Sequence, residues 1–275
     1  MKPKNKILLA GIDLDGTLLR NDKTISSFTA EAMINAARRG ICLVPVTGRP
    51  LSGIPQCVLQ LGVCDYAVTT NGAVITDLRT GECVYGAPIT HSKTVLIMKE
   101  LDEAGISYEA FADGFGYLSP AVMEKYKRKY ESTPVGDYIK ASRKVVQDPA
   151  AEFIKGGKCA DEIFISCGSS ARRAKIAERY ETDSEIQLCF LDDTFLEITA
   201  LGADKGTAFG YLRSMLGIKR ENTIAFGDNT NDVSLVEAAG VFAAMENSCD
   251  EFKMQADIIA PSNENDGVAE ILSKI

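Results

Sequence analysis

Two aspartates with a single residue between them directly follow a short apolar run. This pattern constrains the fold more than any other feature of the chain. The run is Ile7-Leu8-Leu9-Ala10-Gly11-Ile12, and Asp13-Leu14-Asp15-Gly16-Thr17 follows it. A run of this length is typical of a strand buried inside a sheet. In open α/β sheets, ligand-binding groups lie outside the carboxyl ends of the strands. The pattern therefore predicts a first strand with two carboxylates at its carboxyl end.

These two carboxylates indicate a divalent cation. Alternate side chains of an extended chain lie on the same face, so Asp13 and Asp15 are expected to project to one side. Two like charges repel each other, and burying them without a cation is costly. Carboxylate oxygens favour Mg²⁺ over Zn²⁺. We therefore expect a magnesium site at this strand end.

Composition narrows the class of protein. The chain has 275 residues and a net charge of -8, which argues against a partner that is a nucleic acid or an anionic membrane. No window approaches the roughly 18 consecutive apolar residues that a membrane span needs. The eight cysteines are scattered without a zinc or redox spacing, which is typical of reduced residues. We expect a cytoplasmic protein, with a monomer as the default.

The order of predicted elements indicates a doubly wound, Rossmann-like α/β core with an inserted α+β domain. Strands at 7–12, 41–46 and 66–69 alternate with helices at 26–39 and 54–61, a rhythm that is typical of a parallel sheet. This alternation of strands and helices stops after the third strand. Hairpins are predicted at 74–85 and 187–199, and a polar helix and loop are predicted at 126–147. The alternation resumes with a helix at 205–216 and a strand at 223–226. The predicted domains are a discontinuous core, 1–84 and 200–275, and an insertion, 85–199.

Three further segments supply groups that phosphoryl transfer requires. Thr47-Gly48-Arg49 follows the second strand and offers a hydroxyl and an unobstructed backbone N–H. Lys205 opens the helix after the insertion, where an ammonium can approach a phosphate near the positive helix end. Gly227-Asp228-Asn229-Thr230-Asn231-Asp232 follows a strand and brings two more carboxylates. Each segment alone also fits a purely structural role, so the prediction depends on their convergence at one edge of the sheet.

Together these four motifs resemble the haloacid dehalogenase superfamily of phosphotransferases. Asn71-Gly72-Ala73, Ala244-Met245-Glu246-Asn247 and Glu264-Asn265-Asp266-Gly267-Val268-Ala269 are similar to the Cof-type branch (class IIB), in which a large C2-type α/β cap is inserted after the third strand. The resemblance implies that the core is catalytic and that residues 85–199 form a cap that closes over the site and selects the substrate.

The resemblance also implies a role for each motif residue. Asp13 becomes the nucleophile that forms an aspartyl-phosphate, and Asp15 protonates the leaving alcohol and then activates water. Mg²⁺ would be bound by the Asp13 carboxylate, the Asp15 backbone carbonyl and Asp228. The groups expected to hold the phosphate are Thr47, the Gly48 amide, Lys205 and Asn231. Asp232 is expected to orient Lys205 or a metal-bound water.

Three functions are compatible with this sequence. The leading hypothesis is a Mg²⁺-dependent phosphatase that hydrolyses a small phosphorylated metabolite, most simply a sugar phosphate. The second is a sugar phosphomutase, similar to capped phosphomannomutases, which would return the phosphoryl group to a sugar. The third is a regulatory protein that binds a phosphorylated ligand without turnover, although such a protein has no need of a proton donor beside the nucleophile.

Overall fold

The apolar run before the two aspartates forms a strand at Leu9–Ile12 in which all four residues are buried. We describe it in a computed structural model that covers residues 5–190 and 193–275. The strand lies next to the centre of a parallel sheet of five strands. The predicted position of the carboxylates at a parallel strand end is therefore confirmed.

Strands and helices alternate along much of the described chain. The strands are β1 Leu9–Ile12, β2 Cys42–Pro45, β3 Tyr66–Thr69, β4 Val74–Asp77, β5 Cys83–Gly86, β6 Ser107–Ala112, β7 Phe115–Leu118, β8 Arg143–Val145, β9 Glu162–Ser166, β10 Ile186–Cys189, β11 Phe195–Ala200, β12 Thr223–Gly227, β13 Val241–Met245 and β14 Ile258–Ala260. The helices are α1 Ser27–Arg38, α2 Gln56–Leu59, α3 His91–Glu103, α4 Pro120–Tyr130, α5 Pro134–Ser142, α6 Pro149–Gly156, α7 Ser170–Tyr180, α8 Lys205–Met215, α9 Val233–Ala238, α10 Asp250–Lys253 and α11 Gly267–Leu272.

The central sheet has the strand order β14-β13-β12-β1-β2, and its strands are parallel. The helix between β1 and β2 has the ends that its sequence predicts. The Ser26 hydroxyl accepts a hydrogen bond from the Thr29 backbone N–H at 2.9 Å, which caps the start of α1. Gly40 follows the end of α1 with a φ of 85°, which few other residues adopt readily. The doubly wound α/β core is confirmed.

The strand predicted at residues 66–69 forms as β3, but its main pairing differs from the parallel arrangement that we expected. It pairs antiparallel with β4 in a separate sheet of order β3-β4-β5. Only two isolated parallel bridges, Val46–Val68 and Leu43–Cys64, link the segments around β2 and β3 among the described residues. The reason is local, because the tight turn at Thr70–Gly72 has positive φ angles and folds the chain directly back along β3.

The described residues form two compact units. The first contains the described residues up to Gly48, together with Ile54–Tyr85 and Asp204–Ile275. The second contains Arg49–Gly53 and Gly86–Ala203. The short segment belongs to the second unit because Arg49 Nη1 donates to the Gly53 carbonyl at 2.8 Å and the Arg49 guanidinium stacks on the Tyr138 ring.

The second unit contains a mixed sheet of order β10-β11-β9-β6-β7-β8. The predicted hairpin near residues 187–199 forms as β10 and β11, which pair antiparallel. The polar stretch at 126–147, predicted as helix and loop, also contains the strand β8. Its residues lack the apolar alternation of a strand, and β8 forms because it pairs in parallel with β7 at the edge of the sheet.

Two expectations from the sequence concern membrane-spanning segments and the state of the cysteines. Among the described residues, no helix combines the length and apolar character that crossing a bilayer demands. All eight cysteines are free thiols.

Phe209 of α8 gives a test of the core packing in the first unit. Its ring is fully buried and lies so close to β1 that a Cβ on Gly11 would come within 2.7 Å of it. Phe209→Ala should lower the free energy of unfolding by about 3–5 kcal/mol, because it leaves a cavity beside the sheet. Phe28→Ala is the matched control, since Phe28 is 45% exposed and its loss should cost less than about 0.5 kcal/mol. Urea unfolding measures both, and equal effects would contradict the packing described here.

Candidate active site

Asp13 lies at the carboxyl end of β1 and is buried. Its backbone N–H donates to the Phe226 carbonyl of β12 at 3.1 Å, which continues the sheet one residue beyond the strand. Gly16 then turns the chain with a φ of 80°. A Cβ on Gly16 would lie 2.3 Å from Asp228 Oδ2, so glycine is required for this carboxylate to approach the turn.

Lys205, the first residue of α8, is fully buried and bridges two carboxylates. Its Nζ donates to Asp13 Oδ1 at 2.7 Å and to Asp232 Oδ1 at 2.6 Å. Burial alone would lower the pKa of Lys205, but these two carboxylates raise it above its ordinary value. The ammonium is therefore a fixed positive charge at the end of β1, and not a solvated group on the helix surface.

The loop after β12 is organised around Asp232. Its Oδ2 accepts hydrogen bonds from the backbone N–H groups of Asp228 at 3.0 Å and Asn229 at 3.2 Å. The Asp228 carboxylate also accepts from the Thr17 hydroxyl at 3.0 Å, which joins this loop to the loop after β1. Asp232 thus contacts Lys205 with one oxygen and shapes the loop with the other.

Three carboxylates come together at this edge of the sheet. One oxygen each from Asp13, Asp228 and Asp232 lies within 4.8 Å of the others. Burial raises the pKa of Asp13 well above its usual value, and the charges of Asp232 and Asp228 raise it further, although Lys205 lowers it. Burial also raises the pKa of Asp228 to about 6, again with a contribution from Asp232. The single ammonium of Lys205 does not offset the combined negative charge.

Thr47, Gly48 and Asn231 meet around Asn71, a residue to which the sequence analysis gave no role. The Asn71 backbone N–H donates to the Thr47 carbonyl at 3.1 Å. Its side-chain oxygen accepts from Asn231 Nδ2 at 3.1 Å and would lie 3.0 Å from a Cβ on Gly48. The signal that could have identified Asn71 is the Asn-Gly pair, which is typical of a turn with positive φ, and Asn71 has a φ of 51°.

Asp15 occupies a different environment from Asp13. Its side chain is 41% exposed, and its Oδ1 accepts a hydrogen bond from Lys23 Nζ at 2.7 Å. The acidic cluster of Asp13, Asp228 and Asp232 does not include the Asp15 side chain. The expected role of the Asp15 backbone carbonyl at a metal stays a prediction.

The comparisons with known proteins agree with this geometry. The sequence profile of the family described as haloacid dehalogenase-like hydrolase matches residues 11–272. Phosphatase YwpJ of Bacillus subtilis (strain 168) is 28% identical over 283 residues, which cover 97% of this chain and 99% of the relative. The 5-amino-6-(5-phospho-D-ribitylamino)uracil phosphatase YcsE of the same organism is 26% identical over 266 residues, which cover 97% of this chain and 94% of the relative.

A solved structure of a haloacid dehalogenase-like hydrolase from B. subtilis matches with a TM-score of 0.84 at 26% identity. The match covers 97% of this chain and 99% of that chain, so it includes both units. The profile match alone spans far more than half of the sequence. This chain therefore belongs to the haloacid dehalogenase-like hydrolases, in their Cof-type branch, and is a hydrolase of the phosphatase type.

Proposed function

We propose that this chain is a Mg²⁺-dependent phosphatase that hydrolyses small phosphorylated sugars or sugar alcohols through an aspartyl-phosphate intermediate. The observation that carries the proposal is the buried Asp13 carboxylate at the end of β1, held by Lys205 and flanked by Asp228 and Asp232. A carboxylate in this position can attack phosphorus while the ammonium offsets negative charge on the phosphoryl oxygens.

The charge balance of the site supports the magnesium part of the proposal. Burial raises the pKa values of Asp13 and Asp228, and neighbouring carboxylates raise them further, so a cation at this site would favour the ionised forms. Carboxylate and carbonyl oxygens are the ligands that Mg²⁺ prefers. We assign the Asp13 carboxylate, the Asp15 backbone carbonyl and Asp228 as its protein ligands. When bound, the cation would stabilise negative charge on the phosphoryl group.

The proposed reaction uses the two motif aspartates in turn. A carboxylate oxygen of Asp13 forms a bond to phosphorus while the bond from phosphorus to the leaving oxygen breaks. Asp15 gives its proton to that leaving oxygen, and in the second half it takes a proton from the water that attacks the aspartyl-phosphate. Phosphate is released, and both aspartates return to their starting states.

A separate group of residues is proposed to hold the phosphate. The Thr47 hydroxyl, the Gly48 amide and the Asn231 side chain offer hydrogen-bond donors, and Lys205 adds a positive charge. Asn71 supports this group, because its contacts with Thr47 and Asn231 link the loops after β2 and β12. We propose that Asp232 acts through Lys205, whose ammonium it holds at 2.6 Å.

The substrate class is proposed from the relatives and from the size of the second unit. YcsE is named for a substrate that carries a phosphorylated ribityl chain, which is a sugar alcohol phosphate. We propose that the second unit of this chain, which includes residues 86–203, is a cap that selects the leaving group and excludes water. A cap of this size suits a small metabolite better than a macromolecular substrate.

Phosphate release tests the proposed activity. We expect Mg²⁺-dependent release from a panel of sugar phosphates, sugar alcohol phosphates, nucleotides, pyridoxal phosphate and an aryl phosphate, and loss of that release with a chelator. Asp13→Asn should reduce turnover by roughly three orders of magnitude or more, because the amide is a poor nucleophile. Wild-type turnover in this variant would contradict the covalent mechanism.

The same assay separates hydrolysis from phosphoryl return to a sugar. With a sugar phosphorylated at its anomeric carbon, a phosphatase releases free sugar and phosphate in equal amounts. Formation of an isomeric sugar phosphate without free phosphate would overturn the phosphatase proposal in favour of a mutase. Chromatography of the sugar products, together with a phosphate assay, distinguishes the two results.

Metal binding can be tested without turnover. Saturating Mg²⁺ should raise the free energy of unfolding of the wild type, by about 2.7 kcal/mol when its concentration is 100 times the dissociation constant. The Asp228→Asn variant should show no such gain. The amide oxygen that this substitution introduces can still accept a hydrogen bond from the Thr17 hydroxyl. Because burial and Asp232 disfavour the ionised Asp228 carboxyl, the variant without metal should be at least as stable as the wild type.

Thermal unfolding with Mg²⁺ and with a chelator measures this gain. Asp250→Asn is the control, since the Asp250 side chain is 93% exposed and lies outside the acidic cluster. Equal stabilisation of the wild type and of Asp228→Asn by Mg²⁺ would remove Asp228 from the metal site.

A further inference from the structure

Lys23 adopts a backbone conformation that is unusual for a lysine. Its φ is 66°, in the left-handed region that favours glycine and asparagine. The surrounding turn holds this conformation. The Lys23 backbone N–H donates to the Arg20 carbonyl at 2.9 Å, and the Arg20 backbone N–H donates to the Thr24 carbonyl at 2.9 Å. Asp22 closes the turn by accepting from both the backbone N–H and the hydroxyl of Thr24.

The turn is also fixed to distant parts of the first unit. Arg20 forms an ion pair with Asp266 at 3.2 Å, and the Asn21 backbone N–H donates to Glu264 at 2.7 Å. The Leu19 carbonyl accepts from Asn263 at 2.9 Å. The Lys23 side chain therefore extends from a backbone that the C-terminal segment holds in place.

From this position the Lys23 ammonium reaches Asp15. Its Nζ donates to Asp15 Oδ1 at 2.7 Å, with 26% of the Lys23 side chain and 41% of the Asp15 side chain exposed. Ion pairs with this much exposure add little to stability. This fixed lysine therefore provides Asp15 with a positioned hydrogen-bond donor, and not with a large gain in stability.

We propose that Lys23 is a positioning residue for Asp15 in the hydrolytic reaction. The inference rests on the acid–base role of Asp15 in the proposed function. The Lys23 ammonium can only donate, so Asp15 Oδ1 accepts from it, and this contact fixes the orientation of the carboxyl group. Lys23 thereby holds the Asp15 carboxyl group in place for proton transfer to the leaving group, and it stabilises the carboxylate that remains when the proton has left.

Asp15 gives one proton and regains one proton in each reaction cycle. As the bond from phosphorus to the leaving oxygen breaks, the proton moves from the Asp15 carboxyl group to that oxygen. During hydrolysis of the aspartyl-phosphate, the Asp15 carboxylate takes a proton from the attacking water. Lys23 keeps its own protons throughout.

Leaving-group dependence tests the proposal. Para-nitrophenolate leaves phosphorus readily without a proton, whereas an alkoxide needs one. The values of kcat/KM with Mg²⁺ are compared for para-nitrophenyl phosphate and for the alkyl phosphate that the wild type hydrolyses fastest. Lys23→Met should lower kcat/KM about 10-fold for the alkyl phosphate and no more than about 2-fold for the aryl phosphate. Lys23→Arg should recover most of the loss, because it keeps a charged donor.

Two further variants control for folding and for general loss of a lysine. Lys23→Asn removes the ammonium but tolerates a positive φ, so it should show the same selective loss even if Lys23→Met is unstable. Lys253→Met is the matched control, since the Lys253 side chain is also 26% exposed and pairs with Asp250. It should leave both rates unchanged.

The outcomes separate this inference from the function on which it rests. Asp15→Asn should lower kcat/KM much more for the alkyl phosphate than for the aryl phosphate. If it does, and Lys23→Met and Lys23→Asn slow both substrates equally or neither, the positioning role of Lys23 is overturned. If Asp15→Asn itself fails to discriminate between the substrates, the acid role of Asp15 is wrong and the inference about Lys23 falls with it.

Discussion

The buried ammonium of Lys205 is the interaction on which the candidate site depends. A fully buried charge is tolerated only when it is paired and hydrogen-bonded, and Lys205 meets this requirement by contacting both Asp13 and Asp232. The contact with Asp13 joins residues that are 192 positions apart in the sequence. The loops after β1 and β12 and the start of α8 are thereby fixed to one another, and each of them carries a group with a proposed role in phosphoryl transfer.

The same site holds more negative than positive charge, and this imbalance links the fold to the proposed chemistry. Asp13, Asp228 and Asp232 lie close together because backbone donors and the Thr17 hydroxyl hold two of the three carboxylates in place. The protein thus maintains a local arrangement that repulsion disfavours. Sites of this kind are typical of functional centres, where a ligand supplies what the free protein lacks.

The two motif aspartates differ in environment, and this difference suits different roles. Asp13 is buried beside a fixed ammonium and other carboxylates, whereas Asp15 is partly exposed and contacts the side chain of Lys23. The different surroundings of these two carboxylates suit the roles proposed for them, nucleophile for Asp13 and acid–base for Asp15, because the surroundings of a side chain set its chemistry. Gly16 follows the second aspartate with a positive φ, and its lack of a side chain lets the Asp228 carboxylate approach the turn.

The sequence by itself determined the parallel core and the placement of chemical groups at its strand ends. Apolar runs bounded by glycine and by helix caps are local signals, so they located β1, β2, β12 and α8 correctly. Tertiary structure alone decided the antiparallel pairing of β3, the strand β8, the bridge from Asn71 to Asn231 and the contact of Lys23 with Asp15. These features depend on hydrogen bonds between separate segments or on an unusual backbone angle, which periodicity and propensity do not encode. A motif identifies which groups are present, whereas packing decides which of them touch.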